Sequence, residues 1–260
     1  MRRRDGVGLM AAMMALSPAG AACAGAWSPA KGHGEVIVKY EDMRADEALS
    51  ADGVRVELPG GRRDMTASVL VEYGLTDRLT LQVKGEWQDG RDAWVDYQGR
   101  GPVEVGVRWQ VYRDDRNVAA VYVGHARGGA GRNAGYAPPG AGDSDVEARL
   151  LAGRAFAGGG WRAQGGFAEV QAARRWRAGL PDETRVDATA GLHLSSDWMV
   201  MAQAFAGAAD GDGAARWLSV ETSVVRRFGD WRLQAGWRQT AAGREIPAVS
   251  GPVFGIWRRF

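Results

Sequence analysis

The chain has one cysteine, Cys23, and three histidines. A disulfide within the chain is therefore impossible, and no Cys/His spacing fits a zinc site. Only three of the 33 basic residues are lysines, and the formal net charge of +2 gives no support to nucleic-acid binding. Long apolar runs are absent too. A helical membrane bundle needs runs of about 20 apolar residues, and the longest candidate is Val7–Leu16. No amphipathic helix of three turns follows that segment. Disorder is excluded because aromatic and β-branched residues recur along the chain. At 260 residues, one or two soluble domains or a single large β-barrel remain.

The N-terminus has the organisation of a secretory signal peptide. Arg2, Arg3 and Arg4 precede a short apolar stretch, Gly6–Leu16. Small residues follow, with Ala22-Cys23-Ala24 and Ala24-Gly25-Ala26 both matching the A-x-A cleavage pattern. The expected division is residues 1–26 as signal peptide and 27–260 as the mature domain. Cleavage removes three arginines, Asp5 and Cys23, leaving a neutral chain without cysteine. Such an exported protein must draw its stability from something other than disulfides.

What is present is period-2 alternation. Residues 79–88, 103–111, 184–194 and 231–238 each carry apolar side chains on one face and charged, amide or glycine positions on the other. Successive side chains of a strand point to opposite faces, so each segment is a two-faced strand. Twelve strands are predicted: 35–43, 63–73, 79–88, 101–111, 118–126, 145–156, 161–173, 184–194, 199–206, 216–228, 231–240 and 252–260. Their lengths cluster near the ~9–11 residues that a tilted membrane strand requires. Residues 54–58 are placed in a loop that Pro59-Gly60-Gly61 terminates. The apolar residues of 161–173 change parity between Phe167 and Val170, which predicts a bulge near Gly165-Gly166.

The connections alternate long and short, as in an outer-membrane barrel with short periplasmic turns and long external loops. Aromatic residues flank nearly every short turn: Tyr73, Trp109, Tyr112, Phe156, Trp161, Trp198, Phe228 and Trp231, with Phe260 at the same level. Such a set is a periplasmic aromatic girdle. Trp87, Trp176, Trp217 and Trp237 are placed in an opposite girdle. The terminal Phe260, after alternating apolar residues, resembles the assembly signal that ends bacterial outer-membrane barrels, although Arg258 replaces the usual aromatic two residues earlier. The expected fold is all-β: a transmembrane antiparallel β-barrel of about twelve strands. Its expected surroundings are outer-membrane lipids and the barrel assembly machinery.

Backbone groups in lipid must all be paired, so the strands must close on one another. The apolar sets then face lipid and the polar sets line a lumen. The expected lining is Glu72, Lys84, Glu86, Glu104, Arg108, Glu147, Arg149, Arg185, Asp187, His193, Glu221, Arg232 and Arg238. Both signs are interleaved. Inward Gly106, Gly191 and Gly236 would leave space. Alternation alone does not say which face is inside, so a soluble lipocalin-like barrel stays open.

The search for chemistry yields no catalytic set. His193-Leu194-Ser195 is similar to the His-x-Ser pair of outer-membrane phospholipases and lipid A deacylases. The only asparagines, Asn117 and Asn133, lie far from it in sequence, and His193 is read as a lumen residue. Asp210-Gly211-Asp212-Gly213 begins like a calcium loop but lacks its third acidic ligand and distal Glu. Gly128-Gly129-Ala130-Gly131 has phosphate-loop composition without the following helix, and is read as a flexible external loop. No metal, cofactor or enzymatic activity is expected.

Two stretches resemble known barrel groups. Glu72–Leu79 resembles a strand–turn–strand element of proteobacterial barrels that include transporters of the phenol-degradation meta-pathway type. Residues Pro181–Gly191, with Gly25-Ala26-Trp27, Gly32 and Gly34, resemble the Xag-type outer-membrane proteins associated with exopolysaccharide synthesis genes. The resemblance implies an envelope barrel, with exopolysaccharide synthesis or export proteins as partners, and transfers no catalytic residue. The leading expectation is passage of a solute or support of polymer export. A structural barrel with a filled lumen and a lipid-modifying enzyme are the alternatives.

Overall fold

A computed structural model describes residues 25–160 and 163–260. Of the expected signal peptide, 1–26, residues 1–24 lie outside them, as does Trp161. The described residues form thirteen strands and no helix: β1 (Gly34–Leu49), β2 (Arg55–Gly74), β3 (Leu79–Arg91), β4 (Asp96–Arg113), β5 (Asn117–Arg127), β6 (Ser144–Gly160), β7 (Ala163–Arg177), β8 (Glu183–His193), β9 (Trp198–Ala209), β10 (Arg216–Phe228), β11 (Trp231–Arg244), the two-residue β12 (Ile246–Pro247) and β13 (Ser250–Arg259). All pairings are antiparallel; consecutive strands pair from β1 to β11, β11 pairs with β13, and β1 pairs with both β2 and β13. The sheet therefore closes as a twelve-stranded barrel, with β12 as an added bridge to β1. Closure leaves no strand edge unpaired.

Alternation sets the facing as expected. Val105, Val107, Val123, Leu150, Val186, Leu192, Leu233 and Ile256 are exposed on the outside, each more than 39% accessible. Glu72, Arg108, Glu147 and Glu221 point inward and are almost fully buried. An apolar exterior over a charged interior is the reverse of a soluble barrel, which is incompatible with the lipocalin-like alternative. Tyr73, Trp109, Tyr112, Phe156, Trp198, Phe228, Trp231 and Phe260 are exposed around the end that holds the short turns. The two ends of the strand wall, Gly34 and Phe260, meet there, as an even strand number requires. We call this the proximal mouth and the opposite one the distal mouth.

Three expectations are corrected and one is met. First, residues 55–57 belong to β2, which continues through Pro59-Gly60-Gly61. Gly60 and Gly61 take left-handed backbone angles (φ 72° and 64°). Ala45 pairs with Arg62 but Glu47 pairs with Glu57, so the punctuating residues form a bulge within a strand of 20 residues. Second, three of the expected long connections, 44–62, 89–100 and 241–251, are largely strand, and β1, β2 and β4 extend well beyond membrane length. Third, the bulge expected near Gly165-Gly166 is found: the pairing shifts between Gly160/Ala163 and Ala157/Gly165, and the register of β7 is unbroken from Gly165 to Arg177. Gly165 has φ 123°. The parity change is real because Phe167 turns inward, where it is 4% exposed. Fourth, Trp217 is not in a girdle. Its ring lies 6.0 Å from that of Tyr136 inside the distal mouth.

Candidate functional site: the barrel lumen

Inward positions of a barrel gather side chains from every strand into one column, and here that column is ionic. At mid-height, Glu221 of β10 receives Arg238 of β11 at 2.8 Å and Lys39 of β1 at 3.1 Å. Arg238 also reaches Glu41 at 2.9 Å. On the opposite wall Arg175 of β7 binds Glu104 at 2.9 Å and Glu147 at 2.7 Å. Arg149 pairs with Glu147 and lies 3.8 Å from Asp187. Lys84 pairs with Glu86 at 2.7 Å, and the Tyr122 hydroxyl donates to Glu104 at 2.7 Å. Between these walls lies a cavity of about 740 Å³.

The structure thus brings the expected lumen residues together, at different levels. Glu72, Lys84, Glu86, Glu104, Arg108, Arg149, Arg185, Asp187 and Arg238 border the cavity. Glu147 and Glu221 lie beneath it as shared acceptors, with side chains at most 2% exposed. Arg232 lies near the proximal rim, 3.0 Å from Glu35. His193 is also inward and proximal, in register with Met199. Its sequence neighbour Ser195 is used in the turn, where Oγ accepts the backbone N–H of Trp198 at 3.1 Å. The arrangement gives the His-x-Ser pair no orienting carboxylate or amide among the described hydrogen bonds. No group of metal-ligating side chains occurs among the described residues.

The expected free space at glycines is filled. A Cβ on Gly106 would lie 2.2 Å from the Tyr122 hydroxyl, and one on Gly191 would lie 2.3 Å from the Phe167 ring. These glycines accept large neighbours rather than widen a pore. Gly236 is likewise closed off by Ser223.

Two segments outside the strands close the column, and the alternation pattern revealed neither. At the distal mouth the connection 128–143 folds inward instead of projecting outside. Arg132 is its anchor. The guanidinium binds Asp92 at 2.5 Å, lies 3.5 Å from Asp64 and stacks 5.1 Å from the Tyr97 ring. The Arg132 backbone N–H donates to the Gln88 side-chain carbonyl at 2.7 Å. Asn133 holds the connection together by donating to the carbonyls of Gly129 and Ala141. Tyr136 donates to Glu183 at 2.6 Å, and Arg177 donates to the Asn133 carbonyl at 2.8 Å. Burial and then the Glu183 carboxylate push the Tyr136 phenol well above its ordinary value. Burial alone would raise Asp92, but the N–H groups of Trp94 and Val95 and the Arg132 guanidinium hold it below the usual carboxylate range.

At the proximal mouth residues 25–28 enter the barrel. The Ala26 N–H donates to Glu169 at 2.6 Å, and the Ser28 N–H donates to Gln110 at 3.0 Å. Arg108 donates to the Trp27 carbonyl at 2.9 Å while holding Glu72 at the same distance. The Trp27 ring packs edge-on against Phe167, with centroids 6.0 Å apart. Ala26 is fully buried among Val118, Ala120, Tyr122 and Leu151. A composition cue existed for both segments. Each is rich in Gly and Ala with few large side chains, Trp27 in one and Arg132 and Tyr136 in the other, and small residues permit close approach within a crowded column.

No family profile matches the chain, and no curated protein matches it. Solved structures do. The chain is similar to the COG4313 outer membrane channel from Pseudomonas putida F1, with a TM-score of 0.69 and 13% identity, covering 90% of this chain and 98% of that one. It is also similar to the KdgM porin, at TM-score 0.55, 7% identity and coverage of 86% and 99%. The NanC porin gives TM-score 0.52, 10% identity and coverage of 84% and 98%. At these identities the likeness is one of fold: the closed twelve-stranded barrel of outer-membrane channels and porins.

Proposed function

We propose that the chain is an outer-membrane channel whose lumen carries ions and small polar solutes along a narrow path. The carrying observation is the charged cavity of about 740 Å³ between two segments that are not part of the barrel wall. A cavity of this size falls in the range that holds small ligands, ~300–1,000 Å³. Strand side chains form its wall, but its ends are closed by residues 25–28 and 128–143. Loop motions occur far faster than any rearrangement of a closed sheet. In this reading the proximal mouth is periplasmic, the distal mouth is extracellular, and residues 128–143 control entry. The names of the similar structures, channels and porins, support the same reading.

Near-equal numbers of carboxylates and guanidinium groups around the cavity lead us to expect weak ion selectivity. The likeness of Pro181–Gly191 to Xag-type proteins adds support of exopolysaccharide export, with the corresponding synthesis or export proteins as partners. A polymer would pass only with both closing segments displaced. Planar-bilayer recording of the refolded protein is the test. Small steps that grow when residues 130–140 are replaced by a short Gly-Ser turn are expected. Absence of steps from both proteins, with insertion confirmed, would instead favour a structural barrel with a filled lumen, a reading that the extensive internal ion pairing supports.

A further inference from the structure

The buried carboxylates of the lumen nearly all have a guanidinium or ammonium partner, and Glu169 is different. It is 7% exposed. Its oxygens accept the Ala26 N–H and the Gln171 amide, and no ion pair reaches it among the described residues. Nearby Arg108 is committed to Glu72 and to the Trp27 carbonyl. A buried carboxylate held only by neutral donors is poorly compensated for lost water.

Gly25 is where compensation can arrive. A Cβ built on it would lie 1.8 Å from Glu169 Oε2, so the Gly25 Cα abuts the carboxylate and tolerates no side chain there. The Gly25 nitrogen is bonded to that same carbon. In an uncleaved chain this nitrogen is a neutral amide. Ala22-Cys23-Ala24 places a signal-peptidase pattern immediately before it.

We propose that export processing cuts between Ala24 and Gly25, and that the α-ammonium so created is the counter-charge of Glu169, fastening the mature N-terminus inside the proximal mouth. Hydrolysis of one peptide bond by water supplies both new groups: the ammonium on Gly25 and the carboxylate on the released Ala24. A charge-assisted bond then supplements the Ala26 N–H, and such bonds are about twice as strong as neutral ones. The alternative cut after Ala26 would discard Gly25 and the fully buried Ala26, together with the N–H that holds Glu169. The fold uses the very residues that cut would remove.

This inference rests on the export reading, and the experiment separates the two. Intact-mass analysis and N-terminal sequencing of envelope-purified protein should find Gly25 first. A mature chain beginning at Trp27 would overturn the pairing and leave export intact, whereas retention of Met1–Leu16 would overturn both. Acylation of the folded protein with an N-hydroxysuccinimide ester at neutral pH, followed by peptide mass spectrometry, reads the amine directly. Labelling of Gly25 should be at least about tenfold slower in the wild type than in Glu169→Gln, because the pair withholds the free amine by a shift of about one pKa unit or more. Should that variant fail to fold, the same protection is read between native and urea-unfolded wild type. Equal labelling in either comparison overturns the proposal.

Discussion

Arg108 and Glu72 face each other across an intervening strand at 2.9 Å, and both side chains are 1% exposed. They belong to β4 and β2, so the pair spans β3 above the fully buried Thr80. The same guanidinium reaches the Trp27 carbonyl. One side chain thereby links the wall of the barrel to the segment that closes its proximal mouth.

Removing half of that pair should be costly. Glu72→Ala leaves Arg108 buried without its carboxylate and should destabilise the barrel by about 3–5 kcal/mol. Glu72→Met combined with Arg108→Met should recover most of this. Urea unfolding in detergent, followed by tryptophan fluorescence, measures both. A double variant no more stable than Glu72→Ala would refute the pairwise account.

Facing can be tested with one pair of variants. Leu233 is 46% exposed on the outer surface, and Leu233→Arg should cost roughly 2–4 kcal/mol if it lies near the bilayer midplane. Gln203 borders the cavity, so Gln203→Arg should fold nearly as well as the wild type. Folded fraction in lipid vesicles, read by heat-modifiable gel mobility, compares them. The reverse order would invert the assigned facing.

The distal lock should hold through mild acid. Asp92 has a depressed pKa in the folded protein, so its stabilising contact with Arg132 is fully present above the ordinary carboxylate value. It is lost only as pH falls through the depressed one. Channel current should therefore be flat from pH 8 to pH 5. Arg132→Ala should raise mean current and gating noise throughout that window. Wild-type current that climbs steeply between pH 6 and 5 would contradict this assignment.

Gly106 offers a packing test. Its missing Cβ accommodates the Tyr122 hydroxyl, so Gly106→Ala should destabilise by about 1–3 kcal/mol through overpacking. The same substitution in a Tyr122→Ala background should cost much less. Additive losses in the double-mutant cycle would show that the two positions do not press on each other.

Much of this barrel could be read from its residues. The twelve wall strands, their facing and the inward side chains follow from period-2 alternation, because a strand has no other way to separate apolar from charged residues. Arg185 and Asp187, two apart in β8, are a direct instance. The ends of strands were harder to place. Residues 55–57 continue β2 because β1 is long enough to pair with them, and nothing local in Val-Arg-Val-Glu-Leu records the length of a partner. The two closing segments escape the alternation pattern for another reason. Residues 25–28 and 128–143 carry no periodicity, and their burial arises from distant groups: Glu169 for Ala26, and Asp92 and Gln88 for Arg132. Trp217 shows the limit of composition, since a tryptophan near a strand end suits a girdle until Tyr136 arrives from another part of the chain.

The seam between β1 and β13 has a kinetic consequence. Gly34 donates to the Phe260 carbonyl at 2.9 Å, and Phe260 donates back to Gly34 at 3.1 Å. Every other neighbouring pair of wall strands is joined directly by the segment between them, the longest being 128–143, but this one ties together positions 34 and 260. Its loop-closure entropy is recovered only after the intervening hairpins exist. Until then both strands offer unpaired edges, the form of a barrel most prone to joining a second chain. Zipping of the hairpins should be fast and sealing slow, with the seam as the step at which an assembly catalyst has most to accelerate.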